Sequence, residues 1–327
     1  MGYIGEAELA AAVSEAGGLG VIGRDAGLRA RSSDPQVVGE MLRTQVRRAR
    51  ALTRKPLAVN LAVGRGGPQA SDRRAEVALE EGVKVALVSA GPPDVYTRKL
   101  KGAGLQVIHA ISTVAHARRA EAEGVDAVIA EGFEGGGHSG GECLPVFVLV
   151  PQVADAVKIP VIAAGGIADV RQLVAAFALG AEAVYMGTRF MATVECPIHP
   201  RFKEALVRAG DAETVAYSHG QGRGTMRVLK NSYAHRLLAQ GQSYEPVQDV
   251  KASDPAAQEV DRILRALIEG EVEEGLMPSG AGVGLIRDIA TAAQVVERLA
   301  QGYRQVLEVL ESQLEAFSQP QAGQHTR

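Results

Sequence analysis

Seven short apolar runs, each bounded by glycine, proline or a polar turn, limit most strongly how this 327-residue chain can fold. They lie at residues 18–23, 56–63, 83–91, 105–112, 127–134, 160–166 and 183–190. The runs are almost continuously apolar and rich in Val, Ile and Ala, which is typical of parallel strands covered on both faces. Segments with helical periodicity separate them, so strand and helix alternate every ~20–30 residues, as in βαβ units.

This repeat predicts an α/β protein with a TIM-type (β/α)₈ barrel. A closed barrel has eight strands, and only seven runs can be counted. The first element, at residues 7–16, already has the pattern of a helix. We therefore expect that the first strand of the barrel would lie before Met1 and is missing from this chain.

The alternation of strands and helices breaks after Phe190. Residues from about 202 to 282 are polar and helical in pattern, without a clear strand, and they predict an inserted subdomain over one end of the barrel. We expect a barrel domain at residues 1–205 and 285–317 and an inserted helical cap subdomain at 206–284. The polar end of the chain, residues 318–327, is expected to be a disordered tail.

Composition excludes several classes of partner. A net charge of -3 and a pI of about 6.2 provide no basic field for nucleic acid or anionic lipid. No apolar run approaches the roughly 18 residues of a membrane span, and the start lacks the features of a signal peptide. The two cysteines suit a reducing cytosol and cannot form a metal cluster by themselves. We expect a cytoplasmic protein with a small-molecule substrate and no metal, and we leave a homodimer open.

Glycines are concentrated where apolar runs end. The turns at 164–167 and 186–189 each follow a predicted strand and open a predicted helix, one βα unit apart. Glycine lets backbone N–H groups approach an anion, and the next helix N-terminus adds its dipole. Two such turns on the last two strands of a barrel form its common phosphate site. Each turn alone could be a plain tight turn, but the pair predicts phosphate binding.

The segment 131–141, EGFEGGGHSGG, carries three consecutive glycines that lead into His138. A flexible loop with a surface histidine is one interpretation. The functional interpretation places the loop over a flat ligand, with His138 reaching the reacting atom. Histidine titrates near neutrality, which suits proton transfer or an electrophilic hydrogen bond. Elsewhere, Asp169 is expected to cap a helix, and His199 and Cys196 are expected to be structural.

Four segments together resemble the nitronate monooxygenase family, formerly the 2-nitropropane dioxygenases. They are AAAVSEAGGLGVIG, EGFEGGGHSGG, IPVIAAGGIAD and MGTRFMATVECPIHP, and the resemblance extends from Met1 to about Leu310. The family also includes flavin-dependent enoyl-acyl-carrier-protein reductases (enoyl reductase II) and an NADH:quinone reductase branch. The resemblance implies a barrel with non-covalent FMN. The residues that it assigns to the FMN phosphate are Gly165, Gly166, Gly187 and Thr188. Those that it assigns to the flavin ring or ribityl chain are Asn60, Glu131 and Gly137.

The same resemblance assigns the family's catalytic histidine to His138. In nitronate oxidation this residue would deprotonate the nitroalkane carbon or stabilise the anion, and in enoyl reduction it would polarise or protonate the thioester enolate. The resemblance thus implies FMN-dependent oxidation of alkyl nitronates or nitroalkanes with O₂ to a carbonyl compound and nitrite. The alternative is reduction of enoyl thioesters or quinones with NAD(P)H as co-substrate.

The motifs do not choose between these reactions. The loop after His138 lacks the paired threonines associated with the enoyl reductases and is closer to the quinone-reductase branch. In contrast, LMPSGAGVGLI at 276–286 is closer to the enoyl reductases and nitronate enzymes. A third hypothesis is a degenerate barrel that, without its first strand, binds flavin poorly.

Overall fold

The computed structural model describes residues 2–64, 66–218, 224–239 and 255–318. Its strands are β1 (Gly20–Ile22), β2 (Leu57–Ala62), β3 (Val85–Ser89), β4 (Gln106–Ile111), β5 (Ala127–Glu131), β6 (Gly137–Ser139), β7 (Val161–Ala164), β8 (Ala183–Tyr185), β9 (Thr214–Ser218) and β10 (Thr225–Leu229). The first helices are α1 (Ala7–Glu15), α2 (Pro35–Leu52), α3 (Pro68–Glu80), α4 (Thr97–Gly102), α5 (Val114–Ala122) and α6 (Val146–Ala156). They are followed by α7 (Val170–Ala178), α8 (Thr188–Met191), α9 (Pro200–Arg208), α10 (Ser232–Ala239), α11 (Pro255–Leu264) and α12 (Ala292–Ser318).

Seven parallel strands form one curled sheet in the order β1-β2-β3-β4-β5-β7-β8. Each of the seven apolar runs contains one of these strands, so the prediction of an α/β fold of the TIM-barrel type is confirmed. Within the described residues, β1 and β8 are the two edges of the sheet. Because every pair of neighbours is parallel, the carboxyl ends of all seven strands meet at one edge.

Burial on both faces of the sheet explains the continuous apolar character of the strands. One cluster is made of strand residues alone, including Val21, Ala58, Leu87 and Ile129, and therefore lies inside the curl. A larger cluster joins the other strand face to the helices. Parallel strands covered in this way have no solvent-facing side and need no polar alternation.

The secondary structure of residues 206–284 differs from its prediction. Residues 206–284 were expected to be helical without a clear strand, yet they contain β9 and β10, which pair antiparallel, and β10 also pairs with β6. The strand sequences TVAYS and TMRVL are rich in residues that favour strands, and they pair with each other over a short stretch of chain. The other partner of β10 is β6, which is remote in the chain, so a local pattern cannot reveal the pairing of β10 with β6. Of the predicted disordered tail at 318–327, Ser318 is the last residue of α12, and residues 319–327 lie outside the described residues.

No helix in the described part of the chain combines the length and the apolar character needed to cross a membrane.

Candidate functional site

A cavity of about 980 Å³ lies at the edge of the sheet where the strands end. Its lining includes all eight residues that the sequence singles out, which are Asn60, Glu131, Gly137, His138, Gly165, Gly166, Gly187 and Thr188. They come from the ends of separate strands and from the turns that follow. The carboxyl edge is where parallel α/β barrels place their ligand sites.

The geometry of the turn after β7 requires glycine at both of its positions, 165 and 166. Gly165 and Gly166 have φ of 107° and 70°, in the left-handed region that favours glycine. A Cβ at Gly165 would lie 2.9 Å from the carbonyl oxygen of Gly132, and one at Gly166 would lie 2.9 Å from Cβ of Glu134. Any side chain at either position would therefore strain the backbone and collide with the neighbouring loop.

The turn after β8 places Thr188 at the first position of α8, with Gly187 as its N-cap. The Gly280 amide donates a hydrogen bond to Oγ1 of Thr188 at 2.9 Å. Because α8 has only four residues, the helix dipole expected at this turn from the sequence is small. An anion here would depend mainly on main-chain N–H groups and the threonine hydroxyl.

A third glycine-rich segment, 276–286, packs against both the β7 turn and the loop before His138. A Cβ at Gly282 would lie 2.0 Å from the carbonyl oxygen of Gly166, and one at Gly136 would lie 2.5 Å from the amide nitrogen of Gly280. The hydroxyl of Ser279 is buried and has no hydrogen-bond partner among the described residues. The sequence had indicated this segment only through its similarity to the enoyl reductases and nitronate enzymes. Its glycines are the signal that marks it.

Two groups that line the cavity, the carboxyl of Glu131 and the phenol of Tyr185, have raised pKa values, which favours their neutral forms. Burial raises the pKa of Glu131, the last residue of β5. Burial, and then the nearby Glu131 carboxyl, raise the pKa of Tyr185 on β8. Asn60, which lies in β2, donates to Oγ of Ser89 at 3.4 Å. A neutral carboxyl and a phenol can each donate a hydrogen bond to a ligand above them.

Replacing Glu131 by Gln is expected to raise the melting temperature of the cofactor-free protein, and to raise it more at about pH 8 than at about pH 5. The pKa of Glu131 is higher in the folded than in the unfolded state, so its contribution is intact below the unfolded pKa. It is lost as the pH rises through the folded pKa. Glutamine does not titrate. Thermal unfolding across pH measures the difference.

The control is Glu182→Gln, at an exposed position outside the cavity, which should change the melting temperature little at either pH. If Glu131→Gln changes the melting temperature equally at both pH values, the pKa of Glu131 is not raised in the folded protein, and the prediction is wrong.

His138 is held in a strand rather than in a flexible loop. It lies at the centre of β6, opposite Met226 of β10. Its Nε2 lies 2.8 Å from Oε1 of Glu259, a residue of α11 whose side chain is 8% exposed. This partner could not be predicted from the sequence, because no local spacing connects β6 with α11.

The cavity is also lined by apolar and charged side chains. The apolar ones include Met226, Ile263 and Leu267, from residues 206–284. Arg24 and Arg31 also line the cavity, and Arg24 forms an ion pair with Asp25. The cavity is thus lined by the glycine turns after β7 and β8, here called the glycine cradle, by these apolar side chains and by the two arginines.

The residues expected to be structural have structural contacts. Asp169 caps α7 in a capping box with Gln172. The amide of Arg201 donates to Nδ1 of His199 at 3.2 Å, which caps α9. Cys196 is buried, and burial raises the pKa of its thiol to about 12, which disfavours a reactive thiolate.

Comparison with known proteins gives consistent matches over nearly the whole chain. A family model described as nitronate monooxygenase matches residues 1–302. The solved structure of FabK from Thermotoga maritima is 40% identical with a TM-score of 0.84, covering 95% of this chain and 93% of that one. A nitroalkane oxidase structure from Streptomyces ansochromogenes is 29% identical with a TM-score of 0.77, covering 94% and 95%. A curated relative from Rhodococcus jostii, a 5-hydroxy-7a-methyl-1-oxo-octahydro-1H-indene-4-carboxyl-CoA dehydrogenase, is 31% identical, covering 91% of this chain and 89% of the relative.

Proposed function

This chain belongs to the nitronate monooxygenase family, and from that premise we propose that it oxidises alkyl nitronates or nitroalkanes with O₂, using FMN, to a carbonyl compound and nitrite. Membership of the family makes it an oxidoreductase. The observation that carries the proposal is the meeting, in one cavity, of two bare glycine turns and His138. The main-chain N–H groups of the turns can bind a phosphate, and the histidine can take the proton from the carbon of a nitroalkane.

The polar groups that line the cavity suit FMN. The phosphate would bind to main-chain N–H groups of Gly165, Gly166 and Gly187 and to the hydroxyl of Thr188. The buried hydroxyl of Ser279, which has no hydrogen-bond partner in the described part of the chain, provides a further polar atom beside this cradle. The ring and ribityl chain would lie over the floor that contains Asn60, Glu131 and Gly137. When bound, FMN would supply the redox chemistry by carrying electrons from the substrate to O₂, in an overall reaction in which two nitronates and one O₂ give two carbonyl compounds and two nitrite ions.

His138 would take the proton from the nitroalkane carbon. The electron pair left by that C–H bond is delocalised onto the nitro group, which gives the nitronate. A substrate supplied as nitronate has already lost this proton. The histidine in its neutral form is the competent base, and its place in β6 fixes the ring beside the cavity.

We predict that the cofactor released from the purified protein is FMN rather than FAD. The described residues offer one glycine cradle for a terminal phosphate, and no dinucleotide fingerprint follows an early strand in the sequence. Mass spectrometry after acid release identifies the flavin. A mass corresponding to FAD would contradict the assignment of the cradle.

Turnover in air tests the reaction itself. Flavin-loaded protein is mixed with neutral and with ionised nitroalkanes of short chain length, and O₂ uptake, nitrite and carbonyl product are measured. The proposal predicts nitrite and carbonyl compound in equal amounts. A flavin-loaded protein that yields no nitrite from any of these substrates would contradict it.

A second candidate is the reduction of an enoyl thioester by NAD(P)H. The observation that favours it is the apolar wall formed by Met226, Ile263 and Leu267 together with the basic rim of Arg24 and Arg31. An acyl chain would suit the wall, and the phosphates of a thioester carrier would suit the arginines. We propose that residues 206–284 form the cap on this side. Oxidation of NADH or NADPH that depends on an enoyl-CoA would identify this reaction and its preferred nucleotide.

A further inference from the structure

We propose that Glu259 is a positioning residue that holds the hydrogen of the His138 ring on Nε2, so that Nδ1 is the nitrogen that accepts the substrate proton. The inference rests on the proposed role of His138 as a base. It adds to that role a specific atom and a partner supplied by the inserted segment.

The contact between the two side chains is the geometric basis of this assignment. Nε2 of His138 lies 2.8 Å from Oε1 of Glu259, within the range of a charge-assisted bond. The proposal takes Glu259 as ionised; a carboxylate can only accept, which places the hydrogen on Nε2. In the neutral imidazole the second nitrogen then has the lone pair, which makes Nδ1 the basic atom.

Burial makes this contact different from a solvated surface pair. The Glu259 side chain is 8% exposed and that of His138 is 33% exposed. At that degree of burial, water and salt only weakly screen the electrostatic interaction between the two side chains. A carboxylate that orients a histidine also stabilises the imidazolium formed when the ring takes up a proton, as in other His–carboxylate pairs.

Both partners are held by regular structure. Gly137 and Ser139, on either side of His138, pair with Arg227 and Thr225 in β10. Glu259 lies one helical turn before Ile263, which is 8% exposed and also lines the cavity. Residues four apart on a helix share a face, so burial of Ile263 directs Glu259 to the same side. The inserted segment therefore completes a group that the barrel presents.

The tautomer of His138 is the decisive measurement. The full-length, FMN-loaded protein is labelled with ¹⁵N-histidine, and the His138 ring is assigned by the loss of its signals in His138→Ala. We expect the Nε2–H form in the wild-type protein and a mixture of the two forms in Glu259→Ala. The same mixture in the wild-type protein, or the Nε2–H form alone in Glu259→Ala, would overturn the proposal.

Kinetics provide the second readout. With neutral nitroalkane, flavin reduction in Glu259→Ala should be slower by about 10-fold or more, and with ionised nitronate it should change much less. Equal losses with both substrates would show that Glu259 does not act through proton transfer. If the alanine variant does not fold, Glu259→Gln keeps the shape and an acceptor but removes the charge. The Nε2–H form should then persist while proton transfer slows, and unchanged proton transfer would overturn the proposal.

The matched control is Asp261→Asn, which removes an exposed carboxylate from the same helix and should change neither readout. The NMR measurement needs no substrate. A wild-type protein that is inactive with nitroalkanes would therefore refute the proposed function, while the tautomer would still decide the role of Glu259.

Discussion

Replacement of His138 by Ala is expected to slow flavin reduction by neutral nitroalkane at least about 100-fold while FMN stays bound. A positioned acid or base typically contributes ~10²–10⁴-fold to the rate. The side chain lies in β6, whereas the cradle for the phosphate is built by the turns after β7 and β8, so removal of the ring leaves the cradle intact. Rapid mixing without O₂, followed by flavin absorbance, measures the effect.

Two comparisons give this prediction its specificity. Ionised nitronate should be affected less than neutral nitroalkane, because its proton is already lost; equal losses would mean that His138 stabilises charge. His116→Ala is the matched control, since His116 is an exposed histidine that lines the same cavity, and it should leave the rate nearly unchanged. Unaltered activity of His138→Ala with every substrate would contradict the site.

Replacement of Gly166 by Val is expected to abolish FMN binding in a protein that still folds. Gly166 has φ of 70°, and its Cβ would lie 2.9 Å from Cβ of Glu134. The branched side chain would occupy the space of the phosphate oxygens, and the backbone strain would cost about 1 kcal/mol or more. The ratio of flavin to protein after purification measures the loss, and far-UV circular dichroism reports the fold.

Gly180→Val separates loss of the cradle from general strain. Gly180 has φ of 96°, and its Cβ would lie 2.8 Å from Cβ of Ala154, so the local penalty is comparable. It lies after α7, outside the cavity lining. The control should be destabilised yet bind FMN in full. Stoichiometric FMN in Gly166→Val, or equal loss in both variants, would contradict the assignment of the phosphate.

The main sheet was predictable because the residue pattern that specifies each strand lies within a short stretch of sequence. Strands buried on both faces need apolar residues at every position, and the turns between strand and helix need glycine or polar residues, so each unit is visible in a short window. The pairing of β10 with β6 was not predictable in this way, because the two strands are separated by a long stretch of intervening chain. The strands β9 and β10 lie close together in the chain, and the interpretation of their segment as helical was wrong.

The same distinction applies to the candidate site. The positions of Gly165 and Gly166 could be predicted, since a positive φ and a close neighbouring backbone allow only glycine. His138 was visible because three glycines precede it. Glu259 was not, because it is one of many acidic residues in a polar segment, and only the packing of α11 brings it to the cavity. Sequence therefore indicates the cradle and the histidine, and the structure adds the partner.

The most direct test of the central claim is the reaction of the flavin-loaded protein with single substrates in the absence of O₂. We predict that ionised nitronate and, more slowly, neutral nitroalkane abolish the absorbance of oxidised flavin. Admission of O₂ should restore that absorbance, and nitrite should appear. NADH and NADPH should leave the flavin oxidised. Rapid reduction by NADH or NADPH, with no reduction by any nitronate, would contradict the claim and identify the protein as a nucleotide-dependent reductase.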